Sequence, residues 1–222
     1  MELRKNFKFK DYQIALFKAA SLETTRMIAI NGVVGSGKTA FAVYTALDLI
    51  NKGKFDKIIY IKNCVESSHN SLGHLPGEAA EKMEVYMAPL REKIQEFTGK
   101  GDSVPVEVDH LGYIRGRTFR KSVVIIDEAQ NLTREDIVLL VSRVTDDSQV
   151  WLIGDVKQKD TRITHLDKFI AAFDTEEAKQ NGIFVDSWRT AEHIVRGEWL
   201  KFTLTALGEF DSEQMHQGVR VA

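Results

Sequence analysis

An α/β fold with a mostly parallel sheet, covered by helices on both faces, is the architecture this sequence predicts, and three observations carry it. Short apolar runs alternate along the chain with amphipathic helical segments, the order that builds parallel strands joined by crossover helices. The runs Met27-Ile28-Ala29-Ile30-Asn31 and Val123-Val124-Ile125-Ile126 are apolar at successive positions, the pattern of strands buried on both faces. Each of these runs feeds into residues with chemistry. Gly32-Val33-Val34-Gly35-Ser36-Gly37-Lys38-Thr39 follows the first and Asp127-Glu128-Ala129-Gln130 the second.

The elements can be taken in order. Apolar residues at helical spacing predict a helix over 11–20, with Asp11 as its N-cap. The strand over 27–31 leads through the glycine loop into a helix legible in 40–47. A second strand is expected over 57–62, then a long connection over 63–77. Met83, Tyr86, Met87, Leu90, Ile94 and Phe97 recur at three or four residues and predict a helix over 78–97, bent or interrupted at Pro89. A strand is expected over 104–108. Thr133, followed by Arg134, Glu135 and Asp136, reads as the capped start of a helix through Ile137, Leu140 and Val144. Residues 149–153 form a further buried strand ending in Gly154-Asp155, and 182–185 the last. Trp151, Phe169 and Phe173 read as core residues.

At 222 residues the chain suits one α/β domain over 1–222, with a core of about 13–207 and short extensions. Thirty basic against 32 acidic residues give a net charge of −2, so no global basicity points to nucleic acid and any such binding must be local. The single cysteine, Cys64, excludes an internal disulfide framework. The six histidines have neither mutual spacing nor cysteine partners suited to zinc. No apolar stretch approaches the about 20 residues that span a bilayer, and no apolar signal region follows Met1-Glu2-Leu3-Arg4-Lys5, so a cytoplasmic protein without a membrane partner is expected.

The glycine loop fits G-x-x-x-x-G-K-[ST], in which backbone N–H groups from Gly32 to Thr39 and on to Ala40 wrap a polyphosphate. Lys38 would neutralise its charge, and the Thr39 hydroxyl would hold Mg²⁺. Asp127, at the carboxyl end of a central strand, would complete the metal shell. Glu128 would then be free to orient and deprotonate an attacking water. Loop and acids together predict ATP and Mg²⁺ as ligands and hydrolysis as the reaction. The basic run Arg115, Arg117, Arg120 and Lys121, interleaved with Tyr113 and Phe119, offers phosphate contacts and stacking surfaces for a single strand. It could equally engage a neighbouring subunit or the edge of the nucleotide.

With these motifs placed, the chain resembles the PhoH-like family of P-loop ATPases, relatives of superfamily-one helicases, from about Gln13 to Leu207. The resemblance is carried by Gly32 to Thr39, by Val65-Glu66 with Leu72-Gly73-His74-Leu75-Pro76-Gly77, and by Tyr113-Ile114-Arg115-Gly116-Arg117-Thr118. Asp127-Glu128-Ala129-Gln130-Asn131 and Gly154-Asp155-Val156-Lys157-Gln158 complete it. It implies a RecA-like core in which Gln130 and Gln158 approach the terminal phosphate and Gln13 reads adenine, with Phe9 and Tyr12 packing on the base. Glu192-His193-Ile194-Val195-Arg196 makes Arg196 the better match for a catalytic arginine, with Arg189 its rival. Lys62-Asn63-Cys64 departs from the Arg-Pro-Ala common among relatives.

The function expected is hydrolysis of ATP in the service of RNA or single-stranded DNA. Related helicases place ATP between two cores and this chain has one, so a homo-oligomeric ring, by resemblance a hexamer, would supply the second wall and present Arg196 in trans. The alternative is an ATP-gated adaptor that regulates a partner such as a nuclease without unwinding. A nucleotide kinase fits the glycine loop but not Asp-Glu-Ala-Gln.

Overall fold

The computed structural model describes residues 3, 7–63, 79–99, 104–109, 111–159 and 165–211. The segments around Val65-Glu66 and 72–77 lie outside them. Helix α1 (Asp11–Ala20) precedes strand β1 (Met27–Gly32), helix α2 (Lys38–Asn51) and strand β2 (Lys57–Lys62). Helix α3 (Ala79–Thr98), β3 (Val106–Asp109), β4 (Ser122–Asp127), α4 (Arg134–Val141) and β5 (Gln149–Gly154) follow. The chain continues through α5 (Leu166–Phe173), α6 (Glu176–Gln180), β6 (Ile183–Trp188) and α7 (Glu198–Ala206). The six strands form one sheet in the order β3-β2-β4-β5-β1-β6. Every pairing in it is parallel.

The aliphatic runs sort onto two faces with the strand period of two. Ile28, Ile30, Ile58, Val123, Ile125, Trp151 and Ile153 face one core, which α1, α2 and α3 cover through Leu16, Phe41, Leu47, Leu90, Ile94 and Phe97. Ala29, Ile59, Ile61, Val124, Ile126, Val150 and Leu152 face the other, closed by Ile137 and Leu140 of α4 and Leu166 of α5. Strand order therefore places β4, β5 and β1 side by side at the centre. Asp127, Gly154 and Gly32 end those three strands at one edge of the sheet.

Several expected boundaries move. Lys10 caps α1, with Asp11 inside the first turn, because Gln13 Oε1 accepts from the Lys10 N–H at 3.1 Å. Helix α3 runs unbroken past Pro89, since the missing N–H costs one hydrogen bond while Leu90, Ile94 and Phe97 hold the following turns in the core. The short strand starts after Pro105 and ends at Asp109, and Pro105 contributes its carbonyl, accepting from Ile58 N–H at 2.9 Å. Thr133 caps α4 as expected, in a reciprocal box with Asp136, but the helix ends at Val141 and Val144 bridges to Phe119 instead. Strand β6 runs on to Trp188 because its full length pairs with β1. Among the described residues no helix is long and apolar enough to cross a membrane.

One turn fixes how β6 joins the sheet. Gly182 lies at φ +77, and a Cβ there would come within 2.0 Å of the Thr24 carbonyl oxygen. Its own carbonyl accepts from the N–H groups of Arg26 and Met27, which start β1. Gly182→Ala is expected to destabilise the protein by at least about 1–3 kcal/mol, the cost of a left-handed non-glycine residue. Urea unfolding will show it as a lowered midpoint with an unchanged slope.

Candidate functional site

The glycine loop turns from β1 into α2 through Gly35 at φ +83 and Gly37 at φ +80, two left-handed positions that glycine adopts without strain. Gly37 is the N-cap of α2, so the loop delivers the helix's free N–H groups and positive end to one point. Lys38 Nζ donates to the loop's own carbonyls, Gly32 O at 2.6 Å and Val33 O at 3.2 Å. Burial pushes this ammonium below the ordinary lysine range, while Asp155, Asp127 and Glu128 pull it back in that order. Ser36 Oγ, at the turn of the loop, is buried with no hydrogen-bond partner among the described residues.

Opposite the loop, Asp127 ends β4. Its Oδ2 accepts from Thr39 Oγ1 at 3.3 Å and from the Tyr60 hydroxyl, and its Oδ1 from Glu128 N–H at 3.0 Å. Glu128 sits in the left-handed region, φ 59 and ψ 38, a strained backbone for a glutamate, and its side chain meets Gln130. Gln130 holds that side chain in place. Its Nε2 donates to Glu128 Oε2 at 2.8 Å and to Gln158 O at 3.2 Å, and its Oε1 accepts from Asp155 N–H at 3.1 Å. A Cβ on Gly154 would meet Gln130 Oε1 at 2.5 Å and Gln130 N at 2.8 Å, so this close approach requires glycine.

Asp155 closes the ring of contacts. Its Oδ2 accepts from Val34 N–H of the loop at 3.1 Å, and its Oδ1 from Arg189 Nη1 at 2.5 Å. Arg189, 1% exposed, also pairs with Asp211 and donates to Glu209 O, so it is a buried counter-ion rather than a mobile finger. Arg196 is exposed and borders the cavity of its own chain. Val195 N–H donates to Gly35 O at 3.1 Å, while Val33 packs with Ile194 and Leu204. These contacts hold the segment over its own glycine loop.

One cavity of about 500 Å³ brings Gly35, Gly37, Lys38, Thr39, Asp127, Glu128, Gln158 and Arg196 together. Gln130 stands behind it, 1% exposed. Gln13 is also withdrawn: it is 2% exposed, and its Nε2 lies 3.6 Å from a Cβ built on Gly37. Phe9 is absorbed by Phe17 and Phe41, and Tyr12 by Trp188 and His193, with the Tyr12 hydroxyl donating to His193 O at 3.0 Å. Burial, with Asp186 and Glu192 nearby, raises the pKa of that hydroxyl. The basic run divides. Arg115 and Arg120 are exposed, whereas Arg117 pairs with Glu107 at 2.8 Å and with Asp109 and lies over the Phe119 ring. Tyr113 falls in a short 3₁₀ turn, its side chain outside the described set.

Sequence reasoning missed Tyr60, Asn31 and the part played by Arg189. Asn31 Oδ1 accepts from Val156 N–H at 3.2 Å, tying the strand before the loop to the 154–158 segment. Its signal was a lone polar residue ending an apolar strand; Tyr60 gave none beyond its strand pattern.

Strand, phosphate loop and helix at the centre of a parallel sheet, with a threonine facing a strand-end aspartate, define a P-loop NTPase of RecA-like fold. The chain belongs to the PhoH family, whose model, described as PhoH-like protein, matches residues 10–207. It is 32% identical over 169 residues to a PhoH-like protein of Bacillus subtilis, covering 72% of this chain and 53% of that protein. It is 30% identical over 148 residues to Protein PhoH of Escherichia coli, covering 63% and 42%. The chain thus spans about half the length of the curated relatives it matches. A large terminase from a thermophilic bacteriophage, solved in complex with ADP, superposes with a TM-score of 0.55 at 10% identity, covering 93% of this chain and 51% of that one. At this identity the likeness is one of fold.

The lowered folded-state pKa of Lys38 means that the unfolded chain holds this proton more tightly than the nucleotide-free folded chain. Lys38 therefore costs stability at neutral pH, and the cost fades as pH rises from the lowered value toward the ordinary lysine value. Lys38→Met is expected to raise the neutral-pH melting temperature and to narrow its lead over wild type across the alkaline range. Added ATP is expected to stabilise wild type, and the same variant to lose that stabilisation. Scanning fluorimetry against pH, with and without ATP, checks both.

Proposed function

We propose that this protein hydrolyses ATP with Mg²⁺, and that it does so as a helicase-like machine on RNA or single-stranded DNA. The observation that supports hydrolysis above all is the Gln130 bridge, which holds Glu128 apart from the Thr39–Asp127 pair within one cavity. A metal ligand and a base are thereby separated.

The residues fit both groups. An orphaned Ser36 hydroxyl and a Lys38 ammonium bonded to loop carbonyls are partners awaiting an anion. Mg²⁺ is an ion bound by few protein groups together with substrate phosphates, and the Thr39 hydroxyl facing the Asp127 carboxylate suits it. Thr39 and Asp127 would hold it, and it would neutralise charge between the β- and γ-phosphates. Lys38 moves from Gly32 O and Val33 O to the phosphate oxygens. Glu128, oriented by Gln130, accepts the proton of the attacking water. Arg196, presented in trans by a neighbouring copy, would meet the negative charge that grows on the transferred phosphoryl group. Gln158, whose carbonyl accepts from Gln130, links that event to the 154–158 segment.

For the nucleic acid, Arg115 and Arg120 are the cations of the basic run with no ion pair among the described residues, while Arg117 is held by Glu107 and Asp109 and Lys121 by Asp56. A ring, by family likeness a hexamer, would add the wall that a single core lacks. A cytoplasmic location suits such work.

Glu128→Gln keeps the shape of the site but cannot take a proton. Its turnover is expected to fall by about 10²–10⁴-fold, with ATP binding retained in direct titration. A loss below about twofold assigns the base elsewhere. The nucleic-acid reading has a separate test. Turnover is expected to rise with RNA or single-stranded DNA, and Arg115→Ala with Arg120→Ala to weaken binding and flatten its salt dependence by about one unit per lost phosphate contact. Turnover indifferent to nucleic acid favours the ATP-gated adaptor.

A further inference from the structure

The nucleotide cavity has a second end that the catalytic groups leave untouched. Phe7, Ala40, Lys93 and Glu96 line it. Triphosphate chemistry fixes the direction: Glu128, Asp155, Gln158 and Arg196 crowd the terminal phosphate, so the nucleoside extends past Thr39 and Ala40 toward Phe7. Tyr44, one helical turn beyond Ala40 on the same face of α2, stacks on Phe7 with ring centroids 4.8 Å apart and planes 19° from parallel. Phe9 and Phe97 meet the edges of Phe7 at 4.9 and 5.3 Å. Three aromatic rings thus immobilise a fourth that still borders the cavity.

We propose that Phe7 is the stacking platform for the nucleobase, and that the site accepts nucleoside triphosphates with little regard to which base they carry. The proposal rests on the reading of this cavity as a triphosphate site. Stacking uses the π-face that every base has, whereas discrimination needs an amide or a backbone group at the base edge. Gln13, the residue expected to read that edge, has its Oε1 engaged by Lys10 N–H and its Nε2 behind Gly37. Among the described residues at this end, only Lys93 and Glu96 carry polar side chains. They are paired to each other at 2.7 Å on exposed turns of α3, placed for ribose hydroxyls rather than for a base edge.

The test compares KM for ATP, GTP, CTP and UTP, alongside competitive inhibition by inorganic tripolyphosphate, which fills the phosphate loop and has no base. Wild type is expected to take all four nucleotides within about tenfold in KM. Phe7→Ala is expected to raise every KM by about 5- to 150-fold, the range for loss of one stacked base, with tripolyphosphate inhibition unmoved. Phe7→Trp is expected to restore the wild-type values. Phe169→Leu, which breaks the aromatic pair with Phe173 against the other face of the sheet, controls for a general loss of packing and is expected to leave KM unchanged. If Phe7→Ala does not fold, Phe7→Leu keeps the bulk and removes the flat ring. Unaltered KM in a folded Phe7 variant, equal weakening of tripolyphosphate, or a preference above about 100-fold for one base overturns the platform. Wild-type protein that binds neither ATP nor tripolyphosphate overturns the triphosphate reading itself, and the platform with it.

Discussion

The ammonium of Lys38 is a half-buried charge held on the loop's own carbonyls, and the arrangement of the site follows from keeping it tolerable. Asp155, Asp127 and Glu128 offset its burial, and each stands at or just past the carboxyl end of β4 or β5, the two strands next to β1 in the sheet or one removed. Three carboxylates around one lysine would repel a triphosphate. Arg189, buried against Asp155, and Arg196, at the cavity wall, restore the balance to three positive and three negative groups. Parallel pairing makes this possible, because it brings the ends of neighbouring strands to one edge of the sheet.

The loop is more than a phosphate cradle. Two of its four unspecified positions, Val33 and Val34, are apolar, and they anchor a third cluster with Ile194, Leu200, Leu204 and Phe210. Helix α7 therefore packs on the loop rather than on either main core. Through Val34 N–H the loop also answers to Asp155, and through Asp155 to Arg189 and the chain at 209–211. Lys157 adds bonds to the carbonyls of Gly208 and Glu209 at 3.2 and 2.9 Å.

Gln130 illustrates how a motif residue and its geometry can diverge. The amide that relatives lead one to expect at the terminal phosphate is turned inward, spanning Glu128, Asp155 and Gln158. Its carbonyl and amino groups satisfy one acceptor from β4's end and one donor from β5's end at once, which a carboxylate or a lysine could not do. The strained backbone at Glu128 persists because this bridge holds it.

The sequence by itself determined the parallel α/β fold, the phosphate loop, the paired acids and the family, because these are local: apolar runs of fixed length, glycines where φ turns positive, and residue types in fixed spacing. It also placed the core correctly at Trp151, since a tryptophan inside an aliphatic strand has nowhere else to go. It could not decide between Arg189 and Arg196, because the burial of Arg189 depends on Asp155 and Asp211, 34 and 22 residues away. Nor could it choose Phe7 over Phe9 and Tyr12 as the ring beside the cavity, because that depends on which face of α2 the amino-terminal segment crosses. Tyr60 meets Asp127 only through strand pairing across 67 residues, and Arg117 finds Glu107 and Asp109 only because β3 lies at the sheet edge beside it. Those assignments belong to the tertiary structure, for burial and charge pairing between distant segments have no periodicity that a single chain displays.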